Sequence, residues 1–254
     1  SITGTRLLAV LAAWYGGEME LPGAVLNDPL MDCVKALNSA GANFSWAVAD
    51  RAGEGVLRHV PGGADVSLTT DRALYIGEDL LTMYLMAFLA AERVGKARFT
   101  GGAGLKMADL SPLRRFLPEL GARMAHSVPK SNGLPANIES SGAVPDSILV
   151  PADLPKEGLT ALMAAATAWK RRITFDFGQV PAEVFSEALA ETLPVLRACG
   201  VGDSMQGSAL VLDARAAALP EVKNLACAAS MDSVCCAYLL ALPAFAGGRV
   251  ARSG

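Results

Sequence analysis

The chain has 254 residues, 52% of them hydrophobic and 19% charged, with a formal net charge of −3. That balance excludes a disordered chain and is enough for a sizeable buried core. The sequence shows no basic block of five or more residues, no apolar stretch of about 20 residues and no leader-like start, so nucleic acid, a membrane span and a signal peptide are not expected.

In chain order, residues 6–21 read as an Ala/Leu-rich helix, a turn at Gly16 and a short strand. Residues 30–48 follow as an amphipathic helix that closes at Gly41 and runs into another strand. The pair then recurs. An apolar helix, a turn at Gly95 and a strand are predicted over 80–102, and an amphipathic helix ending at Gly121 over 110–128. Residues 158–177 repeat the first element with the turn at Lys170, and 185–205 repeat the second with the stop at Gly200. A fourth helix and turn, at Gly247, are expected within 235–254. The turns are spaced by 79, 75 and 77 residues, a fixed period that indicates one copied supersecondary unit. Glycine suits each helix end because it enters the left-handed region without a side-chain clash.

The expected class is therefore α/β (α+β): three βαβαββ repeats around a pseudo-threefold axis. The expected boundaries are a three-repeat lobe over 1–230 and the start of a second lobe over 231–254. Five cysteines give no even disulfide framework, and thiols held reduced in the cytoplasm are expected. Cys235 and Cys236 read as small buried hydrophobes. Two histidines far apart, His59 and His126, offer no metal-ligand spacing; neither a metal nor a cofactor is expected.

If the repeats are equivalent, the helices that open them share a direction, and their N-termini face one cleft. A helix N-terminus carries partial positive charge and unpaired N–H groups, so several together can make an anion site. Thr5 and Arg6 could grip a phosphate or carboxylate there; alternatively Thr5 is an N-cap and Arg6 a solvated first-turn residue. Asp79, Asp153 and Asp232 suit N-caps or first-turn acids. Together with Glu78 and Glu157, these acids oppose anion binding at the same ends of the helices.

The order and spacing of these elements resembles the enolpyruvyl transferase family, and within it the members that act on shikimate 3-phosphate. Residues 6–42 look like the family's first unit, 74–102 like its second, 159–168 like the helix after its Ser-Ser-Gln, and 231–250 like its Asp-x-Ser-x-Ala-Ser-Tyr helix, which Asp232 and Tyr238 fit. The resemblance implies one lobe of a two-lobed inside-out α/β barrel that closes over shikimate 3-phosphate and phosphoenolpyruvate. It also implies enolpyruvyl transfer in aromatic amino acid biosynthesis. Several family ligand positions differ. Of a Lys-Ser-x-Ser-x-Arg opening only Arg6 is kept, with Ser1, Ile2 and Gly4 at the other positions. Glu78 to Leu81 replace Asn-Ala-Gly-Thr, Tyr84 stands at an Arg, and Pro155-Lys156-Glu157 replace Ser-Ser-Gln. In the loop after the second unit's strand only Lys106 remains basic.

The substrate contacts this resemblance implies are Thr5, Arg6, Lys106, Lys156 and Glu157, with no catalytic residue assigned. Two readings follow. One is the transferase, its second lobe supplied by further sequence or a partner chain. The other is a catalytically inactive relative that binds another ligand or a protein partner.

Overall fold

The computed structural model describes residues 2–24, 26–48, 55–63, 65–69 and 71–220. The expected fourth copy, with Asp232, Cys235, Cys236 and Tyr238, lies outside the described residues, as does Ser1.

The first repeat holds α1 (Ile2–Tyr15), β1 (Met19–Ala24), α2 (Asp28–Ser39), β2 (Phe44–Val48) and β3 (Gly55–His59). The second holds β4 (Leu74–Tyr75), α3 (Leu80–Ala91), β5 (Gly95–Thr100), α4 (Ala103–Met107), α5 (Ser111–Phe116), β6 (Ala122–His126) and β7 (Ala136–Ser140). The third holds β8 (Ser147–Leu149), α6 (Lys156–Ala168), β9 (Arg172–Asp176), α7 (Ala182–Ala198), β10 (Gly202–Gln206) and β11 (Ala209–Asp213).

Each repeat builds one sheet. The second and third sheets have the same order, β4-β5-β7-β6 and β8-β9-β11-β10, with the first two strands parallel and the rest antiparallel. A parallel pair needs a crossover, and α3 and α6 supply it. The first sheet is β1-β3-β2, all antiparallel. Among the described residues it has no strand beside β1 equivalent to β4 and β8. Leu219, near the end of the described chain, packs against Gly17 just before β1.

The opening helices α1, α3 and α6 form the middle of the molecule. Leu7 to Ala12 are fully buried, as are Met83 and Leu85 to Leu89 of α3 and Leu159 and Ala161 to Ala165 of α6. Helices that are apolar all round belong in an interior, and alanine lets their backbones come close. Gly158 shows how close: a side chain there would meet Leu154 and Tyr84. The closing helices are amphipathic and cover this layer; α7, for example, buries Ala188, Thr192, Val195 and Leu196 on one side.

All three predicted helix stops have a left-handed glycine: Gly41, Gly121 and Gly200, at φ +106°, +70° and +76°. The helix expected over 110–120 is divided. It is α-helical to Phe116 and tightens to a 3₁₀ turn over Leu117–Leu120. Pro118 is the physical cause, since it cannot donate to the i−4 carbonyl. Cys33 and Cys199 are buried and unbridged. Among the described residues no helix is long and apolar enough to cross a membrane.

Candidate functional site

Arg6 lies within α1, not ahead of it, because the helix starts at Ile2. Thr5 is therefore not an N-cap; it sits half-buried in the opening turns, one residue before Arg6. Arg6 is only 7% exposed, so it is not the solvated residue that one reading allowed. A buried guanidinium needs a counter-charge. Asp79 supplies it through an ion pair with Arg6 Nη1.

Asp79 is also the N-cap of α3. Its Oδ2 accepts from the Thr82 backbone N–H at 2.8 Å and from Thr82 Oγ1 at 2.9 Å, as well as from Arg6. One carboxylate oxygen thus receives three donors from two helices far apart in sequence. The adjacent acid does a similar job. Glu78 Oε1 accepts from the Ala103 backbone N–H at 2.9 Å, at the start of α4. Gly77 and Gly102 join the same two segments through a 2.8 Å backbone hydrogen bond.

A cleft of about 510 Å³ opens beside this cluster, with Asp28, Asp32, Glu78 and Asp79 in its wall. Lys35 and Tyr75 complete the polar lining, and Lys35 stands 3.8 Å from Asp32. Cys33, on the same helix as Asp32, is fully buried, and its thiol is pushed up to about 12, first by burial. Its other neighbours, Arg6, Asp79 and Thr82, tie it to the same cluster.

Lys156 opens α6, but its ammonium pairs with Glu191 of α7 at 2.9 Å. That hydrogen bond is the main reason its pKa is held above the ordinary lysine value. Glu157, beside it in the first turn, acts on Tyr84 electrostatically. Tyr84 is 1% exposed; burial first, then Glu157 and Asp153, keep its phenol protonated well above the usual range. A buried, uncharged phenol thus fills the position where the resemblance has an arginine. Asp153 does not cap α6, whose N-cap is Pro155; it pairs with Arg115 instead. Lys106 is exposed on α4 and has no ion-pair partner among the described residues.

The predicted contacts therefore separate. Arg6 is joined through Asp79 to the turn carrying Glu78, and Glu78 in turn holds the helix of Lys106. Lys156 is turned toward α7. The residue missed in its main role is Asp79. Its capping was legible from its place before an apolar helix, but nothing local signals a partner 73 residues away. Among the described residues no three His, Cys, Asp or Glu side chains gather closely enough to hold a metal ion.

No sequence-family model matches the chain, and no curated protein does. The likeness appears in the structure instead: the chain has an enolpyruvyl transferase-like fold. It is similar to the EPSP synthase of Acinetobacter baumannii at a TM-score of 0.61 and 16% identity, over 81% of this chain and 44% of that one. A second structure of that enzyme aligns at the same TM-score and identity, covering 45% of its chain. The enolpyruvyl transferase NikO of Streptomyces tendae aligns at a TM-score of 0.50 and 15% identity, over 86% of this chain and 48% of its own. The chain thus spans just under half the length of the proteins it matches.

Proposed function

We propose that this chain is one lobe of an enolpyruvyl transferase-type protein whose anion-binding face is occupied by the protein's own carboxylates. On this reading the lobe by itself does not hold shikimate 3-phosphate and does not catalyse enolpyruvyl transfer; its face serves another ligand or a protein partner. The observation that carries the reading is the Arg6–Asp79 pair. A carboxylate already fills the donors that an anionic substrate would need. Each charge-assisted hydrogen bond is worth about 1.5–3 kcal/mol, so losing two or three of them removes most of the binding energy of a small anion.

The lobe extends over 1–230 on this reading, with 231–254 opening a second lobe that further sequence or a partner chain completes. It works in the cytoplasm with reduced thiols. The test is phosphate release from phosphoenolpyruvate in the presence of shikimate 3-phosphate. The expected result is no release above the enzyme-free rate. Release that depends on both substrates and is lost in Arg6→Ala would overturn the reading.

A second reading, enolpyruvyl transfer itself, is supported by Arg6, the one residue kept from the family's opening motif, and by Lys106, which has no counter-charge among the described residues. In that reaction a proton reaches the phosphoenolpyruvate methylene, the 5-hydroxyl attacks, and phosphate leaves. Thr5, Arg6, Lys106, Lys156 and Glu157 would then contact substrate. Activity that appears only when the complementary lobe is added would favour this reading.

A further inference from the structure

We infer that Asp79 is a tethered ligand: it occupies an oxyanion seat formed by Arg6 and Thr82 and closes that seat to free carboxylates and phosphates. The inference rests on the reading above, that the anion face is self-occupied, and names the residue that enforces it.

Three observations carry it. The first is the seat itself. A guanidinium, a hydroxyl and a backbone N–H all point at one oxygen, Asp79 Oδ2. Such a set of donors, drawn from α1 and α3, suits any small oxyanion. The second is unused capacity. Arg6 is more than nine-tenths buried, and its Nε has no hydrogen-bond partner among the described residues. A buried guanidinium nitrogen without an acceptor is costly, and a carboxylate that offers the seat one oxygen leaves it so. A ligand with three or four oxygens has more to offer. The third is access. Asp79 lines the cleft and keeps 21% of its side chain exposed, so it stands between the seat and solvent.

An intramolecular carboxylate held by a helix turn competes at high effective concentration. A free oxyanion must displace it and must also approach past Glu78, Asp28 and Asp32. Removing the charge of Asp79 while keeping its cap frees Arg6 from its tethered counter-ion, while Glu78, Asp28 and Asp32 still line the approach. Asparagine and serine are both good N-caps, so Asp79→Asn and Asp79→Ser preserve the start of α3.

The probe is inorganic phosphate, titrated by calorimetry and by thermal shift into the full chain at low salt. The wild type is expected to show no binding up to millimolar phosphate. Asp79→Asn is expected to bind at least about tenfold more tightly, with a phosphate-dependent rise in melting temperature. Adding Arg6→Gln to that variant should abolish the gain. If Asp79→Asn does not fold, Asp79→Ser replaces it with the same expectation. A folded variant that ignores phosphate as the wild type does would overturn the inference and leave the self-occupied reading standing. Tight phosphate binding by the wild type, lost in Arg6→Gln, would overturn that reading itself.

Discussion

Arg6 and Asp79 lie in different repeats, and each makes the other's burial tolerable. Removing one partner of a buried pair leaves an uncompensated charge, which costs more than the pair contributes. Asp79→Ala is therefore expected to destabilise the protein by about 3 kcal/mol, the low end for a buried pair because Asp79 keeps some exposure. Loss of its cap adds about 1 kcal/mol. Arg6→Met, which keeps the volume and leaves Asp79 its two Thr82 donors, should cost less. Urea denaturation of both variants checks the order. A larger loss for Arg6→Met would show that the guanidinium, not the carboxylate, has the better alternative partners.

Cys33 gives a second test at this scale. Its folded pKa of about 12 lies above the ordinary thiol value of 9.0, so the folded state favours the neutral form. The stability this contributes is fully present below pH 9 and is lost as pH rises from 9 toward 12. Site-resolved alkylation at pH 9 should leave Cys33 unmodified in the native protein and modify it in urea. Modification at equal rates in both would refute the burial argument. Some of this was legible in the sequence. Asp79 as a cap follows from position alone. Asp153 does not, because Arg115 lies nearby only after folding and draws it off the helix end.

The elements were more legible than their contacts. Ala/Leu composition and the spacing of Gly41, Gly121 and Gly200 define helices and their ends, because caps and backbone conformation are local. The start of α1 at Ile2 and the 3₁₀ turn at Pro118 shifted boundaries by a few residues. The short helix α4 was not expected, since five residues carry no periodicity. It is held from behind by tertiary structure. Leu134 N–H donates to the Leu105 carbonyl at 2.9 Å, and a side chain on Gly133 would come within 2.2 Å of the Lys106 carbonyl. Gly133→Ala should therefore push α4 off its support and cost about 1–3 kcal/mol. Thermal denaturation gives the stability. Hydrogen exchange at the Leu134 amide should accelerate if α4 is displaced, and an unchanged rate would mean the loop gives way instead.

For the whole molecule, the period of the turns implied three equivalent βαβαββ units; two of the sheets share one order, and the first, among the described residues, is a three-stranded antiparallel sheet. The strand that would complete the first sheet beside β1 was not assigned, and the periodicity does not say which part of a chain supplies it. Fold likeness to EPSP synthase extends over most of this chain, yet two of the basic residues expected at an anion site are engaged by the protein's own carboxylates, Arg6 by Asp79 and Lys156 by Glu191, while Lys106 is exposed. On the proposed reading scaffold and site have separated, as they can when function rests on a few side chains and fold on many. The direct measurement is isothermal titration of the chain with shikimate 3-phosphate at low salt, with and without phosphoenolpyruvate. A self-occupied site predicts no heat of binding up to millimolar ligand. Micromolar binding that disappears in Arg6→Ala would contradict it.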